Sequence, residues 1–323
     1  MINIPRIRFA HLPTPVERLP RLSNELGGPQ LLVKRDDLTG LAFGGNKIRK
    51  LEFLLAEAQS HGARTIITAG AVQSNHCRQT AAACARLGFD CTLVLSGEKP
   101  ATASGNLLLD QLFKARIVWT SLEARDQVLQ ETFQKAWETG QRPYLIPYGG
   151  SNTTGAAGYV FAMKELLEQD CQPDWIVFAS SSSGTQAGLV TGARLFGFHG
   201  KVLGISVDEP EADLKARVAA LATATADALG EQCKFEPEEI LVSAGYLGGG
   251  YGVMGQAEVQ AICLFARTEG LLLDPVYTGR AAAGLIDLIR KGFFHREETV
   301  LFWHTGGGPA LFSEKYASLA EPL

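Results

Sequence analysis

Two periodicities of apolar and polar positions run along this chain of 323 residues. Short apolar runs such as residues 90–96 predict buried strands, whereas the helical spacing of apolar positions in residues 75–87 predicts a helix. The other predicted strands are residues 31–34, 65–69, 115–119, 143–147, 174–179, 202–207 and 299–303. The other predicted helices are residues 46–60, 104–113, 122–139, 155–168, 185–197, 210–229, 256–269 and 279–290.

The regular alternation of strand and helix predicts an α/β fold. Strands that are separated by whole helices pair in parallel, so the pattern indicates open parallel sheets. Residues 46–147 alternate regularly enough to form one α/β unit, and a second unit would begin at residue 155. A chain of 323 residues also exceeds the usual size of one small domain. We therefore expect two domains with a cleft between them.

Composition and charge narrow the class of partner. The hydrophobic content is 46% and the charged content 20%, and every apolar run is shorter than the roughly 20 residues that span a bilayer. The N-terminal stretch carries prolines and an early arginine rather than the apolar core of a signal peptide. A net charge of -4 without blocks of like charge argues against a nucleic acid or a membrane as partner. We expect a small-molecule partner.

The six cysteines form no CxxC pair and have no metal-ligand spacing with histidine, so we predict that the chain holds no metal ion. Thiols without such patterns are typical of buried cysteines in a reducing compartment. This predicts a cytoplasmic protein.

Lys47 is the first candidate for chemistry. It follows the paired glycines Gly44 and Gly45, which allow a tight turn close to a ligand, and it lies at the predicted start of a helix. The positive helix end and the neighbouring cations Arg49 and Lys50 would disfavour a charged amine. A neutral lysine amine can form a Schiff base with an aldehyde cofactor. Taken alone, the same residues also describe a solvated surface lysine.

Polar residues follow two predicted strands at the edge where parallel sheets bind ligands. After residues 65–69 come Ser74, Asn75 and His76, where free helix N–H groups and polar side chains suit a substrate carboxylate, although ordinary helix capping explains one such residue equally well. After residues 174–179 comes a loop with four serines, Gly184 and Thr185, whose N–H groups would cradle a phosphate. The loop lacks the GK[ST] ending of a P-loop, and a serine-rich turn is an equally good interpretation of it alone.

Two further stretches are candidates for the same site: DPVYTG at residues 274–279 and HTGGG at residues 304–308. A Schiff-base lysine, a phosphate cradle, a carboxylate site and a hydroxyl for a ring nitrogen together describe a pocket for pyridoxal 5'-phosphate (PLP).

These motifs resemble those of the D-cysteine desulfhydrase and 1-aminocyclopropane-1-carboxylate (ACC) deaminase group of PLP enzymes. The resemblance runs from Pro13-Thr14-Pro15 through KRDDLTG, GGNKIRKLEF, AGAVQSNH, PYGGSN, SGTQAGL and DPVYTG to HTGGGPALF. It implies a tryptophan-synthase-β-like fold, PLP fold type II, with two open parallel-sheet domains. We accordingly predict a larger PLP-binding domain of residues 1–47 and 157–323 and a smaller α/β domain of residues 48–156. The resemblance also implies a homodimer.

The resemblance assigns roles to individual residues. The implied catalytic residues are Lys47, Ser74, Tyr251 and Tyr277, with Tyr246 as the alternative to Tyr251. The implied cofactor-binding residues are Lys47, Asn75, Ser182, Ser183, Gly184, Thr185 and Thr305, of which Thr305 would face the ring nitrogen. The implied substrate-binding residues are Ser74, Asn75, His76 and Thr278. Relatives have more glycine where this chain has Ser181, Ser182 and Ser183, which leaves the phosphate donors open.

Two positions separate the subgroups. ACC deaminases resemble one another in a Glu after the DPVY tyrosine and a Leu before the final glycines, where this chain has Thr278 and Thr305. Both favour β-elimination from a small amino acid, with D-cysteine giving pyruvate, hydrogen sulfide and ammonia. The alternatives are an L-cysteate sulfo-lyase, an ACC deaminase, and a non-catalytic protein that binds PLP or an amino acid.

Overall fold

The computed structural model describes residues 4–320, and within this range the chain forms two separate β-sheets. The larger sheet has the strand order β1-β2-β10-β7-β8-β9. Its strands are β1 (Val16–Arg18), β2 (Gln30–Arg35), β7 (Trp175–Ser180), β8 (Lys201–Ser206), β9 (Leu241–Ser243) and β10 (Thr299–His304). All neighbours pair in parallel except β1, which is antiparallel to β2.

The smaller sheet is wholly parallel and has the order β5-β4-β3-β6. Its strands are β3 (Thr65–Ala71), β4 (Asp90–Ser96), β5 (Arg116–Thr120) and β6 (Pro143–Leu145). The predicted α/β fold with two parallel sheets is thus confirmed. All four of these strands lie within residues 48–156. The exact domain boundaries stay a prediction.

Ten α-helices cover the two sheets within the described residues. They are α1 (Pro20–Leu26), α2 (Asn46–Ser60), α3 (Asn75–Leu87), α4 (Gly105–Leu112), α5 (Arg125–Glu138), α6 (Thr153–Glu168), α7 (Gly184–Phe196), α8 (Glu211–Ala228), α9 (Gln256–Glu269) and α10 (Thr278–Arg290). Side-chain caps fix two starts: the Ser74 hydroxyl accepts the N–H of Cys77 at 3.1 Å, and Asn152 Oδ1 accepts the N–H of Gly155 at 2.9 Å. None of the helices described is long and apolar enough to cross a membrane.

Helix α2 packs into both halves of the molecule. Its apolar residues, Ile48, Leu51, Leu54, Leu55 and Ala58, are buried in the core beneath the smaller sheet. From its first turn, the Arg49 guanidinium points the other way and pairs with Asp36, after β2, at 2.8 Å and with Glu165, on α6, at 2.9 Å. Hence α2 fixes its own N-terminus, where Lys47 lies, against residues of the larger sheet.

Candidate active site

One pocket collects the polar stretches that follow β3, β7 and β10, at the carboxyl edge of both sheets. Its lining is Asn46, Lys47, Ser74, Asn75, His76, Tyr148, Gly149, Ala179, Ser180, Ser181, Ser182, Ser183, Thr185, Tyr277, Thr305 and Gly306. Residues from across the chain therefore meet at the edge where open parallel sheets bind ligands.

The turn before Lys47 needs its glycines. Gly44 has a φ of +63°, and a Cβ there would lie 2.1 Å from the carbonyl oxygen of Asp37. Burial lowers the pKa of the Lys47 amine to about 8, against the raising effects of Lys50 and of the Asp208 carboxylate. The expected direction of the shift is therefore found, but its main cause is burial. At pH 7, about a tenth of an amine with this pKa is uncharged and nucleophilic.

The neighbouring cations behave differently from one another. Arg49 is neutralised by its two carboxylate partners behind the helix. Lys50, which was expected only to act as a neighbouring charge, is buried, and its Nζ donates to the carbonyl oxygen of Gly149 at 3.2 Å and to the hydroxyl of Ser151 at 3.3 Å. Burial, together with the nearby Lys47, holds the pKa of Lys50 far below its usual range. A Cβ built on Gly184 would lie 2.8 Å from Lys50 Nζ, so this second lysine adjoins the start of α7.

Ser74, Asn75 and His76 lie at the start of α3 and all three line the pocket. The Thr68 hydroxyl donates to the carbonyl oxygen of Ile146 at 2.8 Å, so it accepts the Nε2–H of His76 at 2.9 Å. This leaves His76 Nδ1 as a buried acceptor that has no partner among the described residues. Burial and the nearby lysines hold the pKa of His76 well below its ordinary value, so the ring is neutral.

The serine-rich loop leads into the N-terminus of α7. Among the residues described, the backbone N–H groups of Thr185 and Gln186 have no hydrogen-bond acceptor, which makes them available to an anion. The Ser180 hydroxyl is buried without a partner in the described part of the chain. The Ser183 hydroxyl instead donates to the carbonyl oxygen of Ser182 at 2.6 Å. Backbone N–H groups, rather than the Ser183 hydroxyl, are thus the phosphate donors that this loop offers.

Three tyrosines stand close together at the pocket. The hydroxyls of Tyr277 and Tyr251 lie 2.6 Å apart, and Tyr148, which the sequence did not single out, lines the pocket beside them. Burial holds the pKa of Tyr251 and of Tyr277 well above the usual range, so both hydroxyls keep their protons. Tyr246 donates to Asp287 at 2.7 Å and does not line this pocket. Of the two alternatives, Tyr251 is therefore the one that adjoins the site.

The two threonines that separate the subgroups have different surroundings. Thr305 lines the pocket, and no hydrogen bond engages its hydroxyl in the described region. Thr278 is fully buried and faces Asp274: its hydroxyl donates to Asp274 Oδ1 at 2.8 Å and accepts the Asp274 N–H at 2.7 Å. Thr278 does not line the pocket. The first turn of α10 directs the Thr278 side chain towards Asp274, and the predicted substrate contact of Thr278 stays a prediction.

The unpartnered polar groups of the pocket suit PLP. A partly neutral Lys47 amine faces the same space as the free N–H groups of α7, the Ser180 hydroxyl and the Thr305 hydroxyl. These supply a nucleophile for an aldehyde, donors for a phosphate and a neutral partner for a ring nitrogen.

Comparison with known structures supports the same fold. A crystal structure of an ACC deaminase homologue superposes with a TM-score of 0.89 at 39% identity, covering 98% of this chain and 96% of that one. A hydrogen sulfide-producing enzyme from Fusobacterium nucleatum has a TM-score of 0.65 at 14% identity, covering 94% of this chain and 96% of that one, and shows likeness of fold alone.

Sequence relatives extend over the same length. D-cysteine desulfhydrases from Klebsiella pneumoniae strain 342 and from Klebsiella pneumoniae subsp. pneumoniae strain ATCC 700721 / MGH 78578 are each 44% identical over 323 residues, with 97% of both chains covered. The model of the family described as pyridoxal-phosphate dependent enzyme matches residues 7–306. The match covers nearly the whole chain, and the residues of the pocket suit the cofactor. The chain therefore belongs to the pyridoxal-phosphate-dependent enzyme family.

Proposed function

We propose that the protein is a carbon–sulfur lyase that converts D-cysteine to pyruvate, hydrogen sulfide and ammonia. The observation that carries this proposal is the 44% identity, over 97% of the chain, to the two D-cysteine desulfhydrases. The pocket adds the free Thr305 hydroxyl, where the resemblance gives ACC deaminases a leucine.

When bound, PLP withdraws the electrons that remain at Cα after an amino acid loses its Cα proton. Lys47 is the residue that would hold the cofactor covalently and, once displaced by the substrate, accept that proton. Its lowered pKa, about 8, suits both roles because a general base works best with a pKa near the working pH.

Substrate orientation would come from the start of α3. The hydroxyl of Ser74 and the amide of Asn75 line the pocket beside the helix N-terminus, which favours an anion such as the amino-acid carboxylate. His76 is neutral and its Nδ1 is a free acceptor, so it would add no charge to this part of the pocket.

The departing sulfur needs a proton. Tyr277 and Tyr251 share a hydrogen bond of 2.6 Å and keep their protons because burial raises the pKa of both. Tyr277 lines the pocket and Tyr251 stands behind it, so Tyr277 would donate to the leaving thiolate and Tyr251 would support it.

The neutral Thr305 hydroxyl at the ring nitrogen would leave the ring a weaker electron sink than a carboxylate partner would. This favours prompt loss of a good leaving group.

The test is a turnover screen of the yellow holoenzyme with D-cysteine, L-cysteine, L-cysteate, β-chloro-D-alanine, D-serine and ACC. We expect sulfide and pyruvate from D-cysteine and little ammonia from ACC. Sulfite from L-cysteate as the main reaction would support a sulfo-lyase, and efficient ammonia release from ACC would support a deaminase. A coloured protein that turns over none of the six compounds would support a non-catalytic binder.

We also propose a homodimer in the cytoplasm. Five exposed apolar side chains line one groove: Leu38, Phe43, Leu108, Leu272 and Phe312, with exposed fractions from 43% to 77%. Together they form a contiguous apolar patch of a few hundred Å², a size that on monomers often marks a binding surface. A twofold axis would pack this groove against the same groove of a second copy.

Unpaired cysteines support a reducing compartment.

A further inference from the structure

Asn106, in the first turn of α4, is fully buried and holds the segment that ends in Asn75. Its side-chain Nδ2 donates at 2.9 Å to the carbonyl oxygen of Gln73 and at 2.9 Å to Oδ1 of Asn75. Its backbone N–H donates to Oε1 of Gln73 at 2.8 Å, and Gln73 Nε2 donates to the carbonyl oxygen of Ser104 at 2.9 Å. The start of α4 is thereby tied to the start of α3.

The chemistry of the partners fixes the orientation of both amides. A backbone carbonyl can only accept, so the Asn106 atom that faces the Gln73 carbonyl must be the NH2 group. The same nitrogen faces Asn75, whose facing atom must therefore be the oxygen. The Asn75 NH2 group then points away from Asn106. A Cβ built on Gly307 would lie 2.9 Å from this nitrogen, so the glycine leaves room for it beside the pocket.

We propose that Asn106 is a positioning residue, which keeps the NH2 group of Asn75 turned into the pocket as a donor. Both groups that this pocket is proposed to bind there, the oxygens of the cofactor and the substrate carboxylate, are acceptors, so a flipped amide would present an oxygen to an oxygen. The inference rests on the proposed function for the substrate, but its effect on cofactor binding can be measured without any turnover.

The replacement Asn106→Asp changes one atom and reverses the preference. An ionised carboxylate at this position repels Asn75 Oδ1 and attracts the NH2 group, so it favours the flipped amide. A protonated carboxyl donates to Oδ1 and restores the original orientation. The titratable groups nearby are Asp110, one turn further along α4, Arg78 and Cys77 on α3, which interact with Asp110, and Asp274, which lies beside the Asn75 amide at Gly307. Burial raises the pKa of Asp110 far above its usual range, which indicates surroundings where a carboxyl is readily protonated.

The experiment titrates the apoenzyme with PLP and follows visible absorbance between pH 6 and 8.5, each variant being expressed relative to the wild type at the same pH. We expect the dissociation constant of Asn106→Asp to be about tenfold to a hundredfold higher at pH 8.5 and to return towards the wild-type value at pH 6. Asn106→Leu, of similar size, should lose less affinity than Asn106→Asp, with no pH-dependent recovery. A leucine variant as weak as the aspartate variant at pH 8.5, or an aspartate variant that does not recover, would overturn the proposal.

A double-mutant cycle separates positioning from loss of structure. If Asn106 acts through Asn75, Asn106→Leu should not weaken PLP binding further in an Asn75→Leu background. Additive losses would overturn the proposal, and the cycle remains informative if Asn106→Asp fails to fold. Failure of D-cysteine turnover would contradict the proposed lyase function and leave these binding measurements unchanged.

Discussion

The amine of Lys47 has a pKa of about 8 because burial disfavours its charge. Only the neutral amine attacks an aldehyde, so we expect the rate of covalent PLP attachment to rise about tenfold per pH unit below 8 and to level off above it. Stopped-flow absorbance after mixing apoenzyme with PLP measures this rate. Because the Asp208 carboxylate raises the pKa of Lys47, Asp208→Asn should move the plateau to lower pH. A shift to higher pH would contradict this account.

Lys47→Ala should abolish the visible absorbance of the lysine-bound cofactor and all turnover, while the protein stays folded. The matched variant is Lys50→Ala, three residues later on the same helix, which should keep that absorbance because its amine is engaged with Gly149 and Ser151. Absorbance spectra and sulfide release distinguish the two variants. Full activity in Lys47→Ala would refute the assignment of the covalent residue.

Individual residues were predictable where the signal is local. The glycine pair before Lys47 and the polar run at Ser74 indicated the site without any structure. Lys50 and Asn106 gave no such signal, since their importance comes from contacts with residues 99 and 31 positions away, respectively. The hydrogen bonds of Thr278 with Asp274, four residues earlier, were likewise not apparent from its place beside Tyr277.

At the scale of elements, Asp274 and Thr278 form the start of α10. Asp274 accepts the backbone N–H groups of Val276, Tyr277 and Thr278, and the Thr278 hydroxyl completes the set. Thr278→Val would leave the buried N–H of Asp274 without its acceptor, so we expect a loss of about 1–3 kcal/mol in the free energy of unfolding. Urea denaturation of the apoenzyme measures this change.

Thr305→Val is the matched control, because the Thr305 hydroxyl faces the pocket rather than the backbone. It should change the unfolding free energy little. Equal destabilisation by the two variants would contradict the structural role given to Thr278. Thr278→Glu would bury a second carboxylate beside Asp274, so we expect it to impair elimination through the start of α10 that carries Tyr277.

Long elements with strong periodicity were predicted with their observed bounds, as for α2, α3, α9 and β4. The strands β1 and β9 were missed, since each has three residues that are mostly not buried and so carries no run of apolar positions. Helix α6 begins at Thr153, two residues before the predicted start, because Asn152 caps it.

At the scale of the whole molecule, α2 couples the folding of the two sheets, because it packs in the core of the smaller sheet and its Arg49 pairs with residues beside the larger one. We expect one unfolding transition for the apoenzyme. Tryptophan fluorescence of a Trp119→Phe/Trp137→Phe variant would report only on Trp175 and Trp303, both on strands of the larger sheet, while far-UV circular dichroism reports on both sheets. Coincident urea curves would support the coupling, and two separate midpoints would contradict it.

The exposed apolar groove predicts that two copies of this chain associate. Phe312, with 77% of its surface exposed, would lie in the proposed interface, so Phe312→Glu should shift the protein from dimer to monomer in light scattering after size exclusion. Leu122→Glu is the control, since Leu122 is 65% exposed but lies outside the groove. A monomeric wild type, or a Phe312→Glu variant that stays dimeric, would contradict the proposed interface.

The position of Arg49 limits how this chain can be divided into fragments. A piece of residues 48–156 would keep every strand of the smaller sheet. It would also carry the buried Arg49 away from Asp36 and Glu165. The remaining piece would keep the buried carboxylate of Asp36 without its arginine, while Glu165 would keep only its pair with Lys34. Removing one partner of a buried ion pair is strongly destabilising. An enzyme assembled from exchanged halves of two relatives should therefore keep α2, Asp36 and Glu165 from the same parent.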